Sequence, residues 1–259
     1  MKPLEKTLLL TLAFLFAAVS AATAAAPVKL EFKAPADPIR YTLSTDAKSV
    51  FSLYGLEKLI VQSSETTFRY AKGAETADGV AIDCEVLDQI LTNDGQPVAE
   101  TDKGSKVSLL LSPNGAIRSS SNTQALVNFQ DMILTLPDKP VAVGDKWTNE
   151  VPMQLPDGQG GQLDTKAKIE CVVSEIKPFQ GVNCVWIDSR LVIEPPKSDK
   201  NEMKAIATGT IYFDPVRGVI VGHKNELNLK LNVYNYIQEK KVLFTSLELK
   251  MSVKLLMSK

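Results

Sequence analysis

The chain has 259 residues, 29 Lys and Arg against 30 Asp and Glu, a net charge of −1, and 44% hydrophobic residues. Balanced charge gives no electrostatic footprint for nucleic acid, and three cysteines in so long a chain do not make a disulfide scaffold. A chain of this size buries on the order of 70% of its unfolded surface, so it can hold a core with no cofactor or metal.

Lys2 and Lys6 precede an apolar run from Leu8 to Val19, and small residues from Ser20 to Ala26 close it. Ala22-Thr23-Ala24 meets the small-x-small rule of a signal peptidase. Cleavage after Ala26 would leave Pro27 at the new terminus, so cleavage after Ala24 is expected. Residues 1–24 then read as a signal peptide and the mature protein as periplasmic or secreted. The alternative is an uncleaved anchor, because ~20 apolar residues suffice to span a bilayer. No second apolar run follows, so no transmembrane span is expected after cleavage.

Residues 25–38 mix Pro, Ala and charges and read as an extended leader to a single β-rich domain over 39–259. Strand patterns follow at Arg40–Asp46, Ser49–Leu53, Leu59–Tyr70 and Val80–Leu91. Asp94-Gly95 is a hairpin-turn signal. Val107–Leu111 is a strand, Ser112-Pro113-Asn114-Gly115 a tight turn, and Ala116–Arg118 its return. Further strands are expected at Thr148–Met153, Thr165–Ile176, Val182–Ile193 and Met203–Phe213.

One helix is expected, over Asn122–Leu134. Ser121 and Gln124 have capping-box spacing, and Ala125, Leu126, Phe129, Met132, Ile133 and Leu136 fall on one helical face before Pro137 and Pro140 stop it. Such a stripe most often covers one face of a sheet. It could also wall a ligand site.

The closing segment alternates with period two. Leu227, Leu229, Leu231 and Val233, then Leu247, Leu249, Met251, Val253 and Leu255, all fall on odd numbers, with Lys, Asn and Glu between. One face is therefore expected to be buried and the other wet. The candidate ligand-binding residues are Leu126, Phe129 and Ile133 of the helix with Leu229, Leu231, Leu249 and Met251 of these strands.

Two segments echo each other. Ile82-Asp83-Cys84-Glu85-Val86 resembles Ile169-Glu170-Cys171-Val172-Val173, and the Leu111–Ile117 turn resembles Phe213–Ile220. The echo suggests two related β-meander units, 39–120 and 162–257, in one continuous sheet. Chance convergence of strand–turn–strand sequences is the alternative.

Catalytic patterns are missing. His223 is the single histidine, it shares the odd parity of Val219 and Val221, and it reads as a strand residue near the core edge. No metal-ligand spacing, nucleophile elbow, Walker loop or dinucleotide fingerprint occurs. A hydrolase built on two carboxylates stays open on composition alone. The cysteines read as structural. A four-residue loop after Ile176 would set Cys171 against Trp186, with Cys184 diagonal to it. A Cys171–Cys184 disulfide would then need a bulge or register shift. Cys84–Cys171 and three buried thiols are the other arrangements.

Pro137-Asp138-Lys139-Pro140-Val141-x-Val143-Gly144-Asp145-x-Trp147 and Gly209-x-x-x-Phe213-Asp214-x-x-x-Gly218 resemble motifs of a group of uncharacterised exported bacterial β-rich domains. That group implies no activity. A curved antiparallel sheet with one helix on its concave side is also similar to the bacterial lipoprotein-carrier half-barrel. This resemblance implies a lipid or other apolar ligand. The expectation is thus a mainly β half-barrel with one packed helix, acting as a non-catalytic binding or carrier protein. The alternatives are a structural or protein-interaction module of the cell envelope and, more weakly, the hydrolase.

Overall fold

The structure is a computed structural model that describes residues 26–74, 76–98, 102–122, 134–156, 162–194, 201–237 and 240–258. Side chains are described for these except 151–156, 162–165, 194, 201 and 235–237. Twelve strands form one antiparallel sheet: β1 (Ile39–Leu53), β2 (Leu56–Lys72), β3 (Val80–Asn93), β4 (Gln96–Val98), β5 (Lys106–Leu111), β6 (Ile117–Ser120), β7 (Lys146–Pro156), β8 (Gln162–Phe179), β9 (Val182–Glu194), β10 (Asn201–Asp214), β11 (Val219–Ile237) and β12 (Lys240–Met257). The expected helix residues 123–133, with Leu126, Phe129 and Ile133, lie outside the described residues.

The strand order is β6-β5-β3-β2-β1-β12-β11-β10-β9-β8-β7, with β4 on β3. The chain thus starts at the middle of the sheet and meanders out to one edge at β6. It then passes to the opposite edge at β7 and meanders back until β12 pairs β1 from Tyr41↔Met257 to Leu53↔Thr245.

The sheet is open but strongly curled. Laid flat, eleven strands would set their edges roughly 48 Å apart. Yet residues 134–136 reach both edges. The Leu136 amide donates to Asn114 O, just before β6, at 2.7 Å. The Trp147 indole and the Asn149 amide of β7 both donate to Thr135 O, at 3.0 and 2.8 Å.

The N-terminal leader completes this closure. Val28 and Val141 exchange two backbone bonds, the Phe32 amide donates to Pro113 O, and the Lys33 amide donates to Gly218 O. Leu30 and Phe32 are 0% and 2% exposed, and Phe32 packs edge-on to Phe213 at 5.4 Å. Leader and crossover together plug one end of the curled sheet. Around them lies the main core, including Tyr41, Phe68, Ile82, Leu111, Val173, Ile187 and Leu255. Each such large apolar side chain contributes about 1.5–3 kcal/mol on burial.

Turn chemistry follows the residues. Tyr54-Gly55, Asp94-Gly95 and Gln180-Gly181 each take positive φ at both positions, as two-residue hairpins of this hand require. Asp94-Gly95 joins β3 to β4, as the dipeptide signals.

Candidate functional site

Burial is uneven along the strands, deep at the plugged end, partial in the middle and deep again at Val233, which is 3% exposed. At the plugged end Val253 and Leu255 are 6% and 0% exposed. Further along the same face Leu227, Leu229, Leu231, Leu247, Leu249 and Met251 are only half-buried. The register pairs them across β11 and β12 as Leu227↔Met251, Leu229↔Leu249 and Leu231↔Leu247. The four strand residues expected to bind ligand, Leu229, Leu231, Leu249 and Met251, therefore lie together on one face. Ala205, Ile193 and Ala167 extend the Leu229 row across β10, β9 and β8 as a small cluster.

The other half of this face is more polar. Ala47 and Thr45 of β1 lead to Gln62 and Ser64 of β2, Ser49 is paired with Ile60 and Leu43 with Thr66, and Thr66 accepts a hydrogen bond from Gln89 of β3. The face away from the plug is wet, as the Lys230–Glu248 pair at 2.6 Å illustrates. The site is thus an apolar strip beside a more polar strip on the inside of the curl.

A separate cavity of about 800 Å³ sits at the plugged end. Leader residues 33–38 and the first two residues of β1 form one side, and Val182, Val219 and Met257 form apolar walls. Lys33, Arg40 and Arg217 line it, and Arg217 pairs with the buried Asp214 carboxylate. That carboxylate also accepts the Val216 and Arg217 amides. The Phe-Asp motif is therefore a turn lock. The Gly-Asp-x-Trp motif is another, since Asp145 accepts the Ala142 amide and Trp147 anchors Thr135.

Of the three cysteine arrangements left open by the sequence, the structure shows the three buried thiols and not the Cys171–Cys184 disulfide. Cys84, Cys171 and Cys184 are all free and buried. The hairpin turns at Gln180-Gly181, and a bulge at Ser174 shifts the register. Cys171 faces Ser189 rather than Trp186, while Cys184 faces Lys177 on the opposite side of the sheet. Burial pushes the Cys84 and Cys171 thiols up to about 12, with the neighbouring Asp83 charge adding to the effect at Cys84. Ellman's reagent should find none of the three thiols in native protein and all three after unfolding. Reaction of one thiol in unfolded, unreduced protein would mean a disulfide.

His223 has the expected parity but greater depth. It is 1% exposed and lies between Ile211 and Leu255 on the plug side. Tyr41, also in the core, donates its hydroxyl to Ile220 O at 2.7 Å, and burial raises the phenol well above its ordinary range. Among the described residues no cluster of three or more His, Cys, Asp or Glu could hold a metal, and no helix is long and apolar enough to cross a membrane. Pattern reading did not mark the apolar rim at the far end of β1 and β2. Period two breaks there, at Val50-Phe51 and Leu59-Ile60-Val61, but only the structure shows that these apolar residues are exposed on both faces rather than buried.

No family model matches the chain, and no curated protein does. Among solved structures it is similar to lipovitellin, described for its lipid–protein interactions, with 11% identity and a TM-score of 0.51. The match covers 87% of this chain and 25% of that one, so the chain spans about a quarter of lipovitellin's length. DynF of the dynemicin pathway of Micromonospora chersina aligns over 89% of this chain and 85% of its own, at 10% identity and a TM-score of 0.22. The translocator domain of autotransporter NalP from Neisseria meningitidis aligns over 85% and 88%, at 10% identity and a TM-score of 0.20. Only the first superposes well enough to bear on architecture, and it supports a large open antiparallel β-sheet.

Proposed function

We propose that the protein is an exported, non-catalytic carrier that binds a lipid or similar amphiphile on the inner face of its curled sheet. The observation behind this reading is the half-buried strip of Leu227, Leu229, Leu231, Leu247, Leu249 and Met251. A strip that served only the fold would be buried like Leu255, and one that served nothing would not be apolar. The more polar strip of β1 and β2 beside it suits a ligand with an apolar chain and polar groups along one side. Lipovitellin's description as a lipid-interacting protein adds support at the level of architecture. Export rests on the expected signal peptide.

Native mass spectrometry of mature protein from its own host tests this directly, and a lipid mass should co-purify. A fluorescent fatty acid should bind the delipidated protein. Leu249→Asp should weaken that binding about tenfold or more, because a charge on the strip must be desolvated when the chain covers it. A clean apo mass together with no fatty-acid binding would reject the carrier.

A further inference from the structure

We infer that the far rim of the sheet, built around the β1–β2 hairpin tip, docks on the surface of a lipid bilayer. Eight of the thirteen exposed large apolar side chains among the described residues belong to this end, all but Ile90, Val98, Ile117, Val143 and Val216. Leu56 and Tyr54 are 80% and 72% exposed at the tip itself. Nothing lies within 4 Å of where a side chain on Gly55 would begin, and beside it the Tyr54 ring packs edge-on to Phe244 of β12 at 4.9 Å, extending the apolar tip onto that strand.

The register shows that this apolar surface wraps both faces. Leu53 and Leu56 oppose each other on the inner face, with Phe51 two residues further in. Leu59 and Val61 face the other way, opposite Val50 and Lys48. A folded partner or second copy laid on the sheet covers one face and leaves the other wet. A lipid layer surrounds whatever enters it and covers both at once, to the ~5–10 Å depth of an interfacial insertion. The rows between carry Ser52, Glu57 and Lys58, which fit headgroup depth, where the Lys58 stem can lie along apolar surface.

Charge points to apolar rather than electrostatic capture. The segment 51–61 holds one Glu and one Lys, so its formal charge is zero. The rim is also continuous with the inner strip, since Phe51 pairs Leu247, which pairs Leu231. If the carrier reading holds, the rim is where an apolar chain passes between strip and bilayer without crossing water. The docking itself does not depend on that reading.

Vesicle co-sedimentation of full mature protein tests the docking. Wild type should pellet with phosphatidylcholine vesicles as well as with phosphatidylethanolamine–phosphatidylglycerol vesicles, and high salt should not release it. Leu56→Asp and Leu59→Asp, on opposite faces, should each reduce partitioning about tenfold. Val216→Asp, equally exposed at the plugged end, should leave it unchanged. Both rim variants should keep the wild-type unfolding midpoint and fatty-acid affinity, so failure of docking and failure of ligand binding are read separately. Three results would overturn the proposal: no pelleting of wild type, sensitivity to only one of the two faces, or a concentration-dependent dimer that the same substitutions dissolve.

Discussion

Alanine at Gly115 or Gly218 should destabilise the protein by roughly 2–5 kcal/mol, whereas alanine at Gly55 or Gly181 should cost about 1–2 kcal/mol. All four glycines hold positive φ, between 68° and 88°, so all four substitutions incur the left-handed backbone penalty. The two pairs differ in what a Cβ would meet. At Gly55 and Gly181 it meets nothing within 4 Å. At Gly115 it falls 2.4 Å from Leu134 O and 2.5 Å from the Phe32 ring. At Gly218 it falls 2.6 Å from Glu31 O and 2.7 Å from the Lys33 nitrogen. Backbone atoms cannot step aside, so the plug itself must move. Urea midpoints at constant m-value measure the difference. Equal losses at all four sites would mean that the leader is not part of the folding core.

The same two turns explain what the amino-acid sequence could and could not convey. They stand out as an echo, Leu111–Ile117 against Phe213–Ile220. In the structure both grip the leader, through Pro113 O to Phe32 and Gly218 O to Lys33. That shared contact is a sufficient physical reason for similar turns, with or without duplication. The leader's role was hidden because Val28, Leu30 and Phe32 give only three alternating apolar positions among prolines, alanines and charges. Three positions cannot establish a period. The inner-face strip was legible because odd-numbered Leu227 to Leu255 keeps its period over two long strands and no bulge separates Leu227–Val233 or Leu247–Leu255 internally.

Long-range pairing was not legible. No local signal marries β1 to β12 across the length of the chain, and none shows that the sheet is entered from its middle. The Cys171–Cys184 relation failed for a local reason. Lys177-Pro178-Phe179 reads as loop but continues the strand, and the turn needs only Gln180-Gly181. Moving a turn by a few residues changes every partner in a hairpin, and the bulge at Ser174 changes the facing side once more. The depth of His223 failed for a tertiary reason, because parity gives the face while the plug decides how far burial extends along it.

Buried thiols and phenols make the protein sensitive to alkali. From Cys84 and Cys171 together stability should fall by about 2 kcal/mol between pH 9 and 10 and somewhat more steeply between pH 10 and 11. The folded state holds both near 12, raised by burial from an ordinary value of 9.0. Above pH 9 the unfolded chain releases these protons and the folded chain keeps them, so rising pH favours unfolding. Well below pH 9 both states are protonated and the stabilisation is complete. Cys184, raised to about 11 by burial and then by the Asp214 charge, acts in the same direction. Tyr41 and Tyr70, both raised chiefly by burial, add to the fall above pH 10. By pH 11 the loss from Cys84 and Cys171 reaches about 5 kcal/mol, comparable with the whole stability of many domains. The measurement is the slope of unfolding free energy against pH between 9 and 10, where the thiols act before the phenols. Replacing Cys84 and Cys171 together with Ala should lower stability at neutral pH, because each leaves a small cavity, yet flatten that slope by about 2 kcal/mol per unit. An unchanged slope in the double variant would show that these thiols titrate in the folded state, and hence that the plug does not keep water from the core.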